Sequence, residues 1–262
     1  MFAFAGLGAT ATADQTTPYQ LQEVGVDEHL SEEVAADLTF TDHNGESVRL
    51  GDYFQDDKPV LLTLNYLSCE TLCSVQLNGL LDGLKAFEWT AGEQFRIVTV
   101  SIDAREDAAL AKAKRTSYLA ALDRGADVDW AFLTGEEAQI NALADAVGFR
   151  FTYDATTDQF AHPAVLTFLS KDRIISRYLY GIQYPARDLK FALIETSEGR
   201  VGSPVDKIIL SCFRYDTTAG KYTATIFGIA RLGGVLTVLA LLIAGAIAWR
   251  RELLPQADGS PT

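Results

Sequence analysis

The chain has 262 residues, 48% of them hydrophobic and 22% charged, a folded-protein composition that excludes a disordered or low-complexity chain. Thirty-five acidic side chains against 22 basic ones give a net charge of −13. No basic surplus exists to neutralise phosphates, so a nucleic-acid partner is excluded. Three cysteines are too few for a disulfide scaffold, and seven prolines among 20 glycines exclude a collagen-like or proline-rich one.

In chain order, residues 1–13 (MFAFAGLGATATA) are apolar, then small, with Ala-x-Ala at Ala11 and Ala13. They read as the remnant of a secretory signal peptide and predict a domain outside the cytoplasm. Residues 25–200 are expected to form one domain. Stretches 38–41 and 47–50 flank His43-Asn44-Gly45 and predict a hairpin with an Asn-Gly turn. The continuous apolar runs 59–65 and 95–102 suit strands buried on both faces. Leu77, Leu80, Leu81 and Leu84 have helical spacing within 72–87. Further helices are expected at 107–122, 136–147 and 186–197, the last led by Pro185. Short strands are expected at 128–133 and 149–153. A hairpin of 164–169 and 174–180 turns at Lys171-Asp172-Arg173. Strands alternating with helices and ending in a hairpin predict an α/β fold with a mixed sheet. Residues 203–224 read as a connector.

Residues 232–249 (LGGVLTVLALLIAGAIAW) hold no charge, and 18 residues at about 1.5 Å each span about 27 Å, close to a bilayer core. A transmembrane helix is therefore expected at 226–249, with Trp249 at the interface. Arg250 and Arg251 open a short cytoplasmic tail, 250–262.

Neither G-x-G-x-x-G after a strand nor G-x-x-x-x-G-K-[ST] is present, so nucleotide binding lacks its usual loops. Chemistry concentrates at Cys69-Glu70-Thr71-Leu72-Cys73, a C-x3-C pair at the turn from the 59–65 strand into the 72–87 helix. The positive end of that helix stabilises thiolates, and a four-residue spacing puts both sulfurs on one side. Such a pair either forms a disulfide or clamps a soft metal ion. A purely structural disulfide closing so short a loop would constrain little chain entropy. His162, two residues before the 164–169 strand, is the candidate third ligand; His29 and His43 lie in the polar N-terminal part. Pro163, facing the cysteine-bearing helix end, is a candidate cis peptide. Asp107 is expected to cap the helix it precedes, and Asp103 to order the loop after 95–102. Cys212 stands alone, suited to a mixed partner, an intermolecular link or lipid-face burial.

These residues resemble the SCO/SenC family, membrane-tethered thioredoxin-like proteins of respiratory copper assembly. The resemblance runs from about 37 to 195. It rests on 38–53 with Asp42, Gly45 and Leu50-Gly51-Asp52-Tyr53, on 60–66 leading into Cys69-x3-Cys73, on 98–103 (VTVSID), and on His162 before an apolar strand and Lys171-Asp172. It implies a thioredoxin-like mixed sheet flanked by helices, with Cys69, Cys73 and His162 as copper ligands. Two thiolates and an imidazole suit trigonal Cu(I) and tolerate Cu(II), whereas zinc would want a fourth ligand. Met1 is the single methionine, which excludes a Met-rich copper site. The implied function is a membrane-anchored extracytoplasmic copper chaperone for the copper A centre of a cytochrome oxidase, in the periplasm of a Gram-negative cell. Its partner is the oxidase copper subunit or another copper protein. The alternative is a thiol–disulfide oxidoreductase, with Cys69 attacking, Cys73 resolving and His162 tuning the thiolate. A third reading is a tethered binding module with a fixed disulfide. Nothing in the chain demands catalytic turnover. The chain departs from the family pattern at Glu70 and Ser74, where proline is usual, at Ala161, where aspartate often precedes the histidine, and in anchoring at the C-terminus.

Overall fold

Strand alternation divides the core in two. On the strand Val60–Asn65, Leu61 points to one face while Val60, Leu62 and Leu64 point to the other, and all are buried. The computed structural model describes residues 24–68, 72–125, 128–197, 213–216 and 221–224, and in the C-terminal segment residues 234, 237–238, 241–244 and 246–247. Side chains of 72–74, 213–216 and 221–224 lie outside the description.

The strands and helices in chain order are β1 (Gly25–Val26), β2 (Thr39–Asp42), β3 (Ser47–Arg49), β4 (Val60–Asn65), α1 (Leu72–Lys85), β5 (Arg96–Ser101), α2 (Ala108–Leu122), β6 (Trp130–Thr134) and α3 (Glu137–Ala146). They continue with β7 (Phe149–Arg150), β8 (Thr152–Asp154), β9 (Gln159–Ala161), β10 (Val165–Leu169), β11 (Ile175–Tyr180), α4 (Ala186–Thr196), β12 (Phe213–Asp216) and β13 (Lys221–Ala224). Seven strands form a mixed sheet in the order β11-β10-β4-β5-β6-β2-β3, with β4, β5 and β6 parallel and the rest antiparallel to their neighbours. Helices α1, α2 and α4 cover the face bearing Leu61, Ile97, Trp130, Phe132, Leu166 and Phe168. Helix α3 and the 3-10 turn Leu50–Phe54 cover the other. Three buried polar side chains of the first face pair with one another: Thr63 Oγ1 donates to Thr99 Oγ1 (3.0 Å), which also accepts from Trp130 Nε1 (2.9 Å).

Local chemistry sets several boundaries. Gly45 holds φ +88° in the β2–β3 turn, where Asp42 accepts from the amides of Asn44 and Glu46. Asp107 caps α2, its carboxylate accepting from Leu110 N at 2.9 Å, and Asp123 ends that helix in the left-handed region. Residues 47–50, expected as one strand, give way at Leu50 to the 3-10 turn. Residues 149–153, also expected as one strand, are divided: β7 pairs with β1, and β8 pairs with β9 in a hairpin of its own. The cause is the turn 155–158. Asp154 accepts from Thr156 N and Thr157 Oγ1, and Asp158 adopts φ +54°. Within the expected connector, β12 and β13 pair as a second small hairpin.

The expected membrane span 226–249 falls largely outside the described residues, as do the leader 1–13, Cys212 and the tail 250–262. Within the span Val238, Leu241, Leu242, Ile243 and Ile247 are helical and half or more exposed. No helix formed by the described residues is long and apolar enough to cross a membrane.

Candidate metal centre

The sheet brings the two halves of the candidate site to one edge. Strand β10 runs antiparallel to β4, with Leu169 opposite Val60 and Thr167 opposite Leu62. The chain leaving β4 toward Cys69 therefore lies beside the chain entering β10 from His162. Helix α1 starts at Leu72, and the Cys73 backbone is its second residue. Cys69, Glu70 and Thr71 lie outside the described residues, and so does the Cys73 side chain. Among the described residues no three His, Cys, Asp or Glu side chains gather around one point.

His162 follows β9 and is partly buried. Its ring meets Tyr66, three residues before Cys69, edge-on at 6.0 Å and 83°, and Phe149 at 6.0 Å. Nδ1 lies 3.0 Å from the Pro163 carbonyl, which can only accept. Nδ1 therefore carries the proton, and the lone pair falls on Nε2, the arrangement of a metal-ligating imidazole oriented by its second nitrogen. Burial lowers the His162 pKa from its ordinary 6.5, outweighing the Pro163 bond, which acts the other way. The unfolded chain then takes up a proton near pH 6.5 that the folded chain does not. The stability this contributes is full above about 6.5 and lost as pH falls toward the folded value. In an NMR titration the His162 ring should change charge below pH 6.5; a midpoint at or above 6.5 would contradict its burial. His29, by contrast, bonds the Ala146 carbonyl, and His43 sits in the β2–β3 turn.

The expected cis bond at Pro163 is corrected: no peptide among the described residues is cis. The 162–164 segment connects β9 to β10 without reversing the chain tightly, so the ordinary trans preference of about 0.5–1 kcal/mol stands unopposed.

Three residues that the sequence patterns did not single out also bear on the site. Glu106 accepts from the amides of Leu67 (2.8 Å) and Ser68 (2.6 Å), the last two residues before Cys69. Gln76, one turn after Cys73, donates from Nε2 to the Val165 carbonyl at 2.8 Å. Asn65, the last residue of β4, is fully buried, and neither polar atom of its side chain has a hydrogen-bond partner among the described residues. By alternation it shares the α1-covered face with Leu61 and Thr63. An unsatisfied buried amide is costly and marks a place where packing alone did not choose the residue.

A parallel β4-β5-β6 core, an antiparallel β10-β11 pair and a C-x3-C sequence between β4 and the first turn of α1 define a thioredoxin-like α/β protein. A family model described as SCO1/SenC matches residues 26–191, and the chain belongs to the SCO1/SenC family. Solved structures resemble it over most of their own length. An Aquifex aeolicus VF5 protein, named as a candidate electron transfer protein, is 26% identical with a TM-score of 0.56, covering 64% of this chain and 94% of that one. BsSco, described as a member of the Sco family of cytochrome c oxidase assembly proteins and as holding a disulfide switch, is 21% identical with a TM-score of 0.52, over 68% and 98%. Bradyrhizobium japonicum ScoI with copper bound is 21% identical with a TM-score of 0.48, over 61% and 99%. No curated protein matches the chain.

Proposed function

We propose that this SCO1/SenC protein carries copper on Cys69, Cys73 and His162 and delivers it to the copper A subunit of a cytochrome oxidase or to another copper protein. The carrying observation is His162: its Nδ1–H is bonded to the Pro163 carbonyl, its lone pair is on Nε2, and its ring lies against Tyr66, three residues from Cys69. A neutral imidazole taken together with the two thiols of a C-x3-C segment leading into a helix would make a soft, three-donor set for Cu(I). Copper is cargo in this reading. A client thiolate replaces one cysteine at a time, so the ion never leaves coordination. The surplus of acidic side chains favours docking on a basic client patch.

In the same reading the domain is extracytoplasmic and anchored by 226–249, with the tail 250–262 inside. The exposed apolar side chains from Val238 to Ile247 support that anchor, because water would not favour so long an apolar helical surface.

The C-x3-C spacing, with Cys73 in the first turn of α1, also supports a second reading. Here Cys69 attacks a client disulfide, releasing one client thiolate. Cys73 then attacks the mixed disulfide and releases the other, leaving Cys69–Cys73 oxidised for an external thiol reductant. Anaerobic titration of the reduced full chain in detergent with Cu(I), against a competing chelator, separates the two. The copper reading expects one tight equivalent, weakened at least about 100-fold in each of Cys69→Ala, Cys73→Ala and His162→Ala, beyond the effect of losing an outer partner. Weak binding indifferent to His162→Ala would leave thiol exchange as the function.

A further inference from the structure

The loop after β5 touches both halves of the candidate site through two successive residues. Glu106 faces the cysteine half. Its carboxylate accepts from Leu67 N and Ser68 N, and from the Ser101 hydroxyl at 2.6 Å. Arg105 faces the histidine half. Its Nη1 donates to Asp158 Oδ1 at 2.8 Å, in the turn of the β8–β9 hairpin. Its guanidinium carbon lies 5.1 Å from the Tyr153 ring centroid and 5.8 Å from that of Phe160. Phe160 is in β9, two residues before His162, and packs on Tyr66 at 5.6 Å.

The loop itself is pinned from beneath. Asp103 is almost fully buried and binds Arg105 in a two-point fork, from Nε to Oδ1 and from Nη2 to Oδ2, each at 2.8 Å. It also accepts from the Arg105 amide at 2.9 Å, while its own amide donates to Ser101 Oγ at 3.1 Å. The Glu106 amide donates to the Asp103 carbonyl at 3.1 Å. Arg105 is thus fixed by its side chain to the buried Asp103 carboxylate, Glu106 by its amide to the Asp103 carbonyl, and the two are joined by one peptide unit. The cysteine approach and the histidine approach are separate in sequence: Leu67 and Ser68 lie 39 and 38 residues before Glu106, and Asp158 lies 53 after Arg105. Each is fastened to one of two adjacent residues of the loop.

We propose that the Arg105–Glu106 pair is a positioning strap that sets the spacing between the Cys69 approach and His162, and so tunes the affinity of the copper site. The strap rests on the copper reading above. A three-donor site assembled from two loops binds tightly only when the loops are held in register before the ion arrives. Neither residue is placed as a ligand; both act through the segments they hold. Arginine is required rather than any cation, because the fork onto Asp103 and the stack on Tyr153 and Phe160 need a planar guanidinium.

The test uses the full chain in detergent with Glu106→Gln, Arg105→Lys, the double variant and Asp158→Asn. Asp158 is 72% exposed, so its substitution leaves the core untouched. Readouts are Cu(I) affinity by chelator competition, the Cu(II)–thiolate charge-transfer band, and thermal melting. Glu106→Gln and Arg105→Lys are each expected to weaken Cu(I) about 10–100-fold and to shift the band, the usual effect of losing a group that orients ligands. Asp158→Asn should weaken it less, and the double variant should lose less than the product of the single losses, because both cut one strap. Variants that bind within twofold of the wild type, with an unshifted band, overturn the strap alone. A multiplicative double loss that tracks melting temperature also overturns it, since that is general destabilisation. A wild-type chain that binds no Cu(I) overturns the copper reading itself.

Discussion

Gly79→Ala should lower the melting temperature by about 5–15 °C, although alanine is the better helix former. A Cβ at Gly79 would stand 1.9 Å from the Ile182 carbonyl oxygen and 2.8 Å from its carbon, both backbone atoms. One turn on, a Cβ at Gly83 would stand 2.2 Å from the Tyr184 carbonyl oxygen. The two glycines form a stripe along α1 on which the 182–184 segment lies. Helix propensity favours alanine by about 1 kcal/mol. Against this, α1 cannot retreat, because Leu77, Leu80, Leu81 and Leu84 are buried on the sheet side. The segment must lift instead, and with it the start of α4. Overpacking of this kind against backbone costs about 3–5 kcal/mol before the propensity gain, at the upper end of point-mutation effects. In a domain of this size each kcal/mol moves melting by about 2–4 °C. Calorimetry or circular dichroism of the full chain measures the shift, with exposed Asn78→Ala on the same helix as the control. If Gly79→Ala melts within about 2 °C of the wild type, the close approach of α1 to 182–184 is wrong.

What the sequence made legible follows from how local each cause is. The runs at 59–65 and 95–102 announced β4 and β5 because parallel strands covered on both faces need no polar alternation. The leucine spacing in α1 and the Asp107 cap on α2 are written within a few residues of their effect. The division of 149–153 was harder. Arg150 pairs with Gly25 and Thr152 with Ala161, and neither partner is marked by composition. Yet the Asp154 turn that closes β8–β9 carries ordinary turn chemistry. The role of Gly79 and Gly83 was not read from the chain, because the backbone they admit belongs to 182–184, about 100 residues away. Of the site, the C-x3-C spacing and His162 stand out in the chain. Glu106 could not, because its partners are backbone amides 38 and 39 residues upstream and any residue type could supply them. The burial of Asn65 was equally hidden at the end of an apolar run.

The remaining long-range link to the site is Gln76, and its replacement separates shape from hydrogen bonding. Gln76 is 1% exposed, and its amide crosses from α1 to β10 to reach the Val165 carbonyl. The β4–β10 ladder pairs only residues 167–169 of β10, so at Val165 a helix side chain supplies the donor. Gln76→Leu fills nearly the same volume but leaves that carbonyl without this donor. The expected loss is about 2–3 kcal/mol, the sum of a net hydrogen bond and a buried acceptor left unsatisfied. Gln76→Glu should be worse at neutral pH, since an ionised carboxylate would face a carbonyl in a buried place. Its deficit should shrink as pH falls, because burial raises the introduced carboxyl's pKa and the protonated form can donate to Val165. The predicted order of melting temperature is wild type, then Gln76→Leu, then Gln76→Glu at pH 8, with the last two drawing together or crossing near pH 5. Equal melting of Gln76→Leu and wild type would show the bond to be dispensable. Because Gln76 is one turn from Cys73 and Val165 three residues from His162, loosening this link should also weaken Cu(I) binding in Gln76→Leu. The same substitution therefore reads both the packing of α1 on the sheet and the dependence of the copper site on it.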